Sequence, residues 1–484
     1  MGFLRKLASQ TILYGLSTIL GRFINFLLIL PQIKHLKNVE DYGLVTNAYA
    51  GIAFFNILLT YGMETSYFYF IRQGQSEEKV FANTQKSLIL STLSFSFLSV
   101  VFISLFLSQT GTGFSSADFY FILMILVLDT LQVIPFAKLR FQEKALKFSV
   151  IKLLNILIIV ALNYWFLIDA PQWMNGYSQL SKILLANVFG SMASFILLLD
   201  QMFNFKTKID VSFIKTMLKY SSPLLIVGFA GIINETLDRL FLGILLPSKE
   251  GNFQSGIYGA FYKITMVMTM FVQSYRFAAE PLFFKEKEAS DSRKVYALSL
   301  YWFTSVCSLI FLICSLFKSE LSHLFISNPD FFKDDKGLMI VPILLLANLF
   351  LGIYYNLSIW YKLSNNSKYG AYISVIGAML TVVLNIVLIP IYGFQACAVI
   401  TLLVYFTMCS ITYVLGQKHY NIPYQLSKLL FLIVASVCLY VLGIKCQNLV
   451  KTNIYLVDIG LVIVMIVLIF ILQPKRKKLN FAKH

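Results

Sequence analysis

Long apolar stretches alternate with short polar connections along almost the whole chain. A membrane-spanning helix needs about 20 predominantly apolar residues, and by that rule the pattern predicts about fourteen spans. Their approximate bounds are 8–31, 42–68, 84–107, 118–137, 148–168, 180–202, 217–246, 254–283, 295–317, 338–361, 369–391, 394–416, 426–446 and 452–472. The pattern therefore predicts an all-α integral membrane protein.

Composition supports the same class. Only 13% of the residues are charged and 58% are hydrophobic, whereas soluble domains carry roughly 25% charged residues. Arg5 and Lys6 precede the first apolar stretch as they would in a signal peptide. That stretch is too long for one and lacks a cleavage pattern, so we expect it to be retained as a span.

Positive charge is distributed unevenly between alternate connections. The net charge is +17, and most Lys and Arg residues fall on the side that holds both termini. The basic segments on that side include Lys138–Lys147, Lys206–Lys219, Lys285–Lys294 and Lys475–Lys478. The positive-inside rule then predicts two cytoplasmic termini and an even number of spans. Because topology accounts for the charge, we expect no nucleic-acid partner.

No motif for a metal or a cofactor is present. The six cysteines form no CxxC pair, and the four histidines have no ligand spacing. The chain also lacks a P-loop and a G-x-G-x-x-G sequence, so no nucleotide-binding module is expected.

The two halves of the chain resemble each other at an offset of roughly 216–222 residues, as in transporters built from internal repeats. Tyr42-Gly43 follows the span with Arg22, and Tyr258-Gly259 follows the span with Arg239. Because the repeat unit holds six spans, the copies share one orientation. We therefore predict a six-helix lobe at 1–205, a second at 206–420, and two further helices with a basic tail at 421–484.

Several cations lie inside the predicted spans. A basic residue at the centre of a membrane helix costs roughly 2.5–3.5 kcal/mol on insertion scales, so it normally faces protein or a wet cavity. These candidate binding residues are Arg22, Lys152, Arg239, Lys263 and Arg276. Together they indicate an anionic cargo.

Polar residues recur on the same helix faces as these cations. In span 1, Gly15, Thr18, Arg22 and Asn25 share one face, which lipid would not tolerate. The polar residues predicted to line a cavity are Asn25, Asn56, Asn155, Asn234 and Gln273.

Acids inside the spans allow two interpretations. Glu235 and Arg239 stand at i, i+4, as do Arg276 and Glu280, so each could form an ion pair. The sequence does not separate such pairing from contact with cargo. Glu64 could pair with Arg22 or Lys152 from another span. The candidate acids for proton coupling or for permanent ion pairs are Glu64, Asp129, Glu235 and Asp238.

The N-terminal region resembles the polysaccharide-exporter (Wzx-type flippase) branch of the multidrug/oligosaccharidyl-lipid/polysaccharide (MOP) exporter superfamily. The stretches that carry this resemblance are Tyr14-Gly15-Leu16-Ser17, Gly21-Arg22, Pro31, Asp41-Tyr42-Gly43 and Thr60-Tyr61-Gly62-Met63-Glu64-Thr65. It implies a flippase that moves undecaprenyl-pyrophosphate-linked oligosaccharide across a bacterial inner membrane by alternating access. It also implies contact with membrane lipids and with other polysaccharide-assembly proteins.

Alternative functions remain open at this point. Lipid II flippases of the same superfamily share a cationic cavity, and drug or cation exporters share the lobes. The exporters favour acids in span 1, where this chain has Arg22. A polysaccharide polymerase would need a large outer loop with positioned Arg or His. The longest outer connection, Lys318–Gly337, offers only His323, Asp330, Asp334 and Asp335.

The repeat leads to a specific hypothesis about the cargo. If the lobes are related by an axis along the membrane normal, Arg22 and Arg239 approach from opposite lobes at similar depth. A pyrophosphate could then be held between two guanidinium groups, whose planar fork matches phosphate oxygens.

Overall fold

The structure is a computed structural model that describes residues 24, 29–36, 38–110, 113–202, 208–285, 292–333, 335–364, 366–449 and 454–473. Within those ranges the regular elements are all helical. Their contacts divide the chain into two compact units. Unit 1 comprises Met1–Gly259 with Ile389–Ile391, and unit 2 comprises Ala260–Leu388 with Tyr392–His484. The lobe boundaries predicted at 205/206 and 420/421 stay predictions.

Unit 1 is built from helices that follow one another along the chain. They are α1 (Ile29–His35), α2 (Val39–Thr60), α3 (Met63–Arg72), α4 (Glu77–Thr110), α5 (Ser116–Phe141), α6 (Ala145–Ile168), α7 (Gln179–Leu197), α8 (Leu199–Met202) and α9 (Val211–Leu245), with most of α10 (Ser248–Ile264). A 3₁₀ turn, Gln172–Met174, lies between α6 and α7.

Unit 2 contains the remaining helices. They are α11 (Met266–Lys285), α12 (Ser292–Leu316), α13 (Lys318–Phe325), α14 (Lys336–Leu357), α15 (Ile359–Leu363), α16 (Lys368–Tyr392), α17 (Phe394–His419), α18 (Leu426–Leu449) and α19 (Ile454–Ile471). Pro329–Phe332 forms a 3₁₀ turn before α14.

Twelve helical segments of the described part are long and apolar enough to cross a membrane. They correspond to the predicted spans except the first and the eighth, which confirms the all-helical membrane class. Residues 8–31 lie largely outside the described ranges. The eighth span, predicted as one helix over 254–283, is instead divided between α10 and α11. Thr265 causes the break, because its backbone N–H bonds to the Tyr262 carbonyl at i−3 rather than i−4.

A second break divides the span Val39–Arg72 into α2 and α3. Tyr61 and Gly62 both have positive φ, 31° and 73°. Glycine adopts that conformation without steric cost, whereas tyrosine must be held in it. The Tyr61 hydroxyl lies 2.8 Å from the Ser87 hydroxyl of α4. This turn places Glu64 at the start of a new helix, where it can point across unit 1.

Close contacts and caps determine how the helices of unit 1 pack. A Cβ at Gly43 would lie 1.7 Å from the Asn252 carbonyl oxygen, so α2 and α10 touch backbone to backbone. Ser115 and Asp118 form a capping box at the start of α5. The buried Asp118 carboxylate also accepts a hydrogen bond from the Ser181 hydroxyl of α7. The starts of α5 and α7 are therefore held together.

In unit 2, α14 packs along α17 and α12 packs against α14, α18 and α19. Trp360 is fully enclosed, and its indole N–H donates to the Thr412 carbonyl of α17 at 3.2 Å. The Tyr301 hydroxyl of α12 donates to the Ile469 carbonyl of α19 at 2.6 Å. The two helices at the end of the chain are thus attached to the same unit as α12.

Candidate functional site

Lys152, one of the predicted cavity cations, lies on α6 with its side chain exposed. Its Nζ is 4.1 Å from the centroid of the Phe136 ring on α5. Asp129, Arg140 and Glu64 all act on it electrostatically. A cation on a membrane helix normally faces protein or a wet cavity, and these charged neighbours give Lys152 polar surroundings rather than lipid.

A second cation next to Lys152 was missed in the sequence. Arg140 stands one helical turn after Phe136 on α5, and its guanidinium carbon is 5.9 Å from the centroid of Phe148 on α6. Phe148 in turn lies one turn before Lys152, and the Phe136 and Phe148 rings meet edge to face at 5.3 Å. The cation of each helix thus lies near an aromatic ring of the other helix. We name Phe136, Arg140, Phe148 and Lys152 the crossed cation–π cluster.

Sequence reasoning overlooked Arg140 because Lys138–Lys147 was assigned to a polar loop. The structure continues α5 to Phe141, so Arg140 belongs to the last turn of a membrane helix. The one available signal was the i, i+4 spacing of Phe136 and Arg140, repeated by Phe148 and Lys152.

Glu64 on α3 pairs with Arg140. Its Oε1 accepts a hydrogen bond from Arg140 Nη2. The sequence suggested Arg22 or Lys152 as the partner of Glu64; the structure shows Arg140 as a partner, and pairing with Arg22, which lies outside the described residues, stays a prediction. The Arg140 Nε is buried and has no hydrogen-bond partner among the described residues.

A chain of polar side chains follows α5 and α7 beside the cluster. Asp129 accepts a hydrogen bond from the Ser191 hydroxyl at 2.7 Å and another from the Asn56 side chain. The Ser194 hydroxyl donates to Gln132 Oε1 at 2.6 Å and accepts from Asn155 Nδ2 at 3.2 Å. Three sequence candidates, Asn56, Asp129 and Asn155, thus join one network. Whether Asp129 exchanges a proton stays a prediction.

The candidates on α9 form a separate group in unit 1. Asp238 is buried and accepts a hydrogen bond from the Tyr258 hydroxyl of α10. The Arg239 guanidinium carbon lies 6.0 Å from the centroid of the same Tyr258 ring. Glu235 is exposed and Asn234 is half-buried on the same helix. Pairing of Glu235 with Arg239 stays a prediction.

In unit 2, Arg276 and Lys362 line one pocket together with Tyr355 and Asn356. The Arg276 guanidinium carbon is 4.6 Å from the centroid of the Tyr355 ring. The Tyr275 hydroxyl donates to Asn356 Oδ1 at 2.9 Å. A cation predicted from the sequence, Arg276, is therefore joined by Lys362, which sequence reasoning assigned to a loop.

The remaining candidates are placed as follows. Lys263 and Gln273 are half-buried on α10 and α11. Arg22 and Asn25 lie outside the described residues, as does the side chain of Glu280. The contact proposed between Arg22 and Arg239, and the Arg276–Glu280 pair, stay predictions.

One buried acid is not among the candidate residues predicted from the sequence. Asp458 on α19 is 1% exposed and accepts hydrogen bonds from Gln447 Nε2 at 2.9 and 3.1 Å. Across the described ranges there is no group of three or more His, Cys, Asp or Glu residues that could hold a metal ion.

Structural neighbours share this fold. The lipid II flippase MurJ in an inward closed conformation aligns with a TM-score of 0.66 and 15% identity over 95% of this chain and 98% of that one. A multidrug resistance MATE family transporter of the MOP superfamily, inward facing, aligns at 0.62 and 11% identity over 84% and 94%. A MOP superfamily transporter from Pyrococcus furiosus aligns at 0.57 and 10% identity, over 84% of this chain and 95% of that one.

Sequence comparison gives one curated relative and two family models. An uncharacterized membrane protein of Methanocaldococcus jannaschii is 26% identical over 245 residues, which are 48% of this chain and 56% of that protein. The chain thus matches little more than half the length of that relative. A model described as MatE matches residues 214–387, and one described as polysaccharide biosynthesis protein matches residues 7–287. Because this last model covers more than half of the chain, the protein belongs to the polysaccharide biosynthesis protein family, and its helices make it a multi-pass membrane protein.

Proposed function

We propose that the protein flips an undecaprenyl-pyrophosphate-linked oligosaccharide, the repeat unit of an O-antigen, capsule or other surface polysaccharide, from the cytoplasmic to the outer leaflet of a bacterial inner membrane by alternating access. The observation that carries this proposal is the crossed cation–π cluster of unit 1. There Lys152, on a membrane-spanning helix, places its ammonium group over the ring of Phe136 and close enough to Arg140 to interact with it electrostatically.

The cluster suits the pyrophosphate of such a cargo. Lys152 has no carboxylate within ion-pair distance among the described residues, and its ammonium group lies over the ring of Phe136, whereas Asp129 and Glu64 act on it at longer range. A phosphate oxygen that approached it would find a charge that is only weakly compensated. Contacts between phosphate and ionised donors are roughly twice as strong as neutral hydrogen bonds.

The rest of the cargo matches the neighbouring surface. The network that contains Asn56, Asp129 and Asn155 offers amide, hydroxyl and carboxylate groups in unit 1. Sugar hydroxyls both donate and accept hydrogen bonds, so they can pair with such groups. The polyprenyl tail is hydrocarbon and can remain in the lipid.

Topology supports loading from the cytoplasm. The positive-inside rule predicts that the connection at Lys138–Lys147 and both termini are cytoplasmic. Arg140 ends α5 at that connection, and Lys152 lies two turns into α6. The cluster would therefore meet a cargo that is assembled on the cytoplasmic leaflet.

Two alternatives belong to the same superfamily. A lipid II flippase would carry the same pyrophosphate with a different glycan, and the fold shared with MurJ favours this candidate. A cation or drug exporter is favoured by the MatE match over residues 214–387. An exporter of cations would use acids where this chain presents Arg140 and Lys152.

Reconstitution of the purified protein in liposomes tests the proposal. We expect a fluorescent polyprenyl-pyrophosphate glycan to become accessible in the opposite leaflet, and a soluble cationic dye to stay where it was added. Parallel vesicles with lipid II separate the peptidoglycan precursor from other glycans. Transport of the dye alone would contradict the proposal.

A further inference from the structure

We propose that Glu64 is a displaceable internal counter-ion. It forms an ion pair with Arg140 until a phosphate or pyrophosphate group of the cargo takes its place. Glu64, Arg140 and Lys152 then form the headgroup subsite of unit 1. This inference rests on the proposed function, because it names the group that the cargo must displace.

The geometry of the ion pair supports displacement. Arg–carboxylate pairs are frequently bidentate, with two parallel N–H···O bonds. Here a single carboxylate oxygen meets a single nitrogen, Nη2 of Arg140. The Nε hydrogen of Arg140 has no partner among the described residues, although its nitrogen is buried. Glu64 therefore satisfies only part of the guanidinium.

A phosphate can accept hydrogen bonds from the Arg140 donors that Glu64 does not use. Each phosphate of a lipid-linked pyrophosphate keeps two non-bridging oxygens where Glu64 uses one, so it can accept from Nη2 and Nε at the same time. An unpaired buried donor is unfavourable, and its pairing adds to the affinity for the phosphate. The free energy released in this way would favour the exchange of one anion for the other.

Both partners of the pair are accessible. The Arg140 and Glu64 side chains are 36% and 40% exposed. Arg140 is also held from two sides by aromatic rings, with its guanidinium carbon 5.4 Å from the centroid of Phe68 and 5.9 Å from that of Phe148. The arginine is thus fixed in position, whereas Glu64 can leave.

Lys152 completes the subsite. It interacts electrostatically with both Arg140 and Glu64. With Glu64 in place, Arg140 is paired with one carboxylate, and Asp129 also acts on Lys152. When Glu64 leaves, Arg140 loses its counter-charge beside Lys152, and the two negative charges of a pyrophosphate would offset the repulsion between the two cations.

Binding of pyrophosphate to the full-length protein in phosphatidylcholine nanodiscs tests the inference. The two probes are inorganic pyrophosphate and geranylgeranyl pyrophosphate, which separate a free anion from a lipid headgroup. If Glu64 covers Arg140 about nine-tenths of the time, Glu64→Gln should tighten the binding of both probes about tenfold. Arg140→Gln should weaken it by at least about tenfold.

A matched control is the surface pair of Lys147 and Asp200, which lies in the same unit. Asp200→Asn should leave binding within about twofold. Arg140→Lys keeps the charge and loses the planar fork, so it should bind more weakly than wild type even if Arg140→Gln does not fold. Thermal unfolding with and without pyrophosphate reports folding for each variant.

The outcomes separate the two proposals. If Glu64→Gln weakens binding or leaves it unchanged, Glu64 is a structural partner and the inference is wrong. If flipping of the lipid-linked glycan is observed while Glu64→Gln has no effect on binding, the flippase proposal stands without this subsite. If Glu64→Gln tightens the binding of inorganic pyrophosphate but no glycan is flipped, the subsite stands and the cargo is a different anion.

Discussion

Units 1 and 2 each bring a pair of cations together on their helices, but the two pairs have different surroundings. In unit 1, Arg140 is paired with a carboxylate and Lys152 is held by an aromatic ring. In unit 2, Arg276 and Lys362 share a pocket, and the described residues that line it include no Asp or Glu. Both units use aromatic faces to hold a guanidinium, 5.4 Å from Phe68 in unit 1 and 4.6 Å from Tyr355 in unit 2.

This difference separates two ways of keeping charge inside a membrane protein. A carboxylate neutralises a cation fully, but a ligand must remove it first. An aromatic face stabilises a cation only partly, by about 0.5–2 kcal/mol, and leaves its charge available. The counter-ion of unit 1 therefore makes binding conditional on the displacement of Glu64.

The largest effect should come from the removal of Lys152. Lys152→Met should lower transport roughly 10- to 100-fold, because a lost charge-assisted contact costs about 1.5–3 kcal/mol and Arg140 remains neutralised by Glu64. Arg276→Met should reduce transport only several-fold, because Lys362 stays in the same pocket. Initial rates in proteoliposomes measure both.

Two further variants sharpen this prediction. Lys147→Gln, which alters a surface pair on the same helix, should transport at the wild-type rate. Glu64→Gln added to Lys152→Met should recover part of the lost activity by freeing Arg140. Equal losses of transport activity in Lys152→Met and Arg276→Met would contradict the difference expected between the cations of the two units.

A smaller effect is expected from glycines beside the two sites. A Cβ at Gly190 would lie 2.4 Å from Ile159 Cγ1 and 3.0 Å from the Asn155 carbonyl oxygen. A Cβ at Gly352 would meet side chains, with Phe303 Cζ at 2.4 Å. Overpacking costs about 1–3 kcal/mol. Gly190→Ala should be the more destabilising, because a backbone oxygen cannot rotate away.

Thermal unfolding in detergent measures this pair of variants. Gly231→Ala is the control, since nothing lies within 4 Å of its added Cβ. It should raise stability slightly, because alanine is favoured over glycine in helices by about 0.5–1 kcal/mol. A larger loss of thermal stability for Gly352→Ala than for Gly190→Ala would place the tighter packing in unit 2.

The smallest effect concerns an ion pair outside the membrane helices. The Ser212 hydroxyl, the Phe213 N–H and Lys79 lower the pKa of Asp210 to about 2. A carboxyl whose pKa is lowered on folding stabilises the protein above its ordinary pKa of 3.8, and this contribution is lost as the pH falls through about 2. Asp210→Asn should therefore lower the unfolding temperature by a few degrees at neutral pH.

The pH dependence of stability tests the role of the Asp210 carboxylate. The difference between Asp210→Asn and wild type should shrink as the pH is lowered from about 4 towards 2. High salt should weaken the exposed Lys79–Asp210 pair most, because solvent ions screen surface charges. If Asp210→Asn is equally destabilising at both ends of this pH range, the carboxylate charge contributes nothing there.

Much of the fold could be predicted from hydrophobicity alone. A span is defined by the length of apolar sequence, which is a local property, and twelve helices of the described part confirm this. The breaks were not predictable in the same way. Thr265 and Tyr61 are ordinary residues in an apolar stretch, and their turns depend on hydrogen bonds such as that between the hydroxyls of Tyr61 and Ser87.

The candidate site was predicted only in part. The sequence identified Lys152, Asp129, Asn56 and Asn155 as intramembrane polar residues, because a charged or amide side chain in an apolar stretch stands out on composition. It assigned Arg140 and Lys362 to loops, because both lie at the ends of apolar stretches. Position along the chain does not show how far a helix continues.

What the sequence determined by itself was the class of the protein: its membrane spans and the presence of cations within them, whereas the internal repeat stays a prediction. Only the tertiary structure decided the partners of those cations. Glu64 and Arg140 are separated by 76 positions in the chain, and their contact depends on the turn at Gly62 and on the packing of α3 against α5. Charge and hydrophobicity are properties of single residues, whereas an ion pair between helices requires their relative position in space.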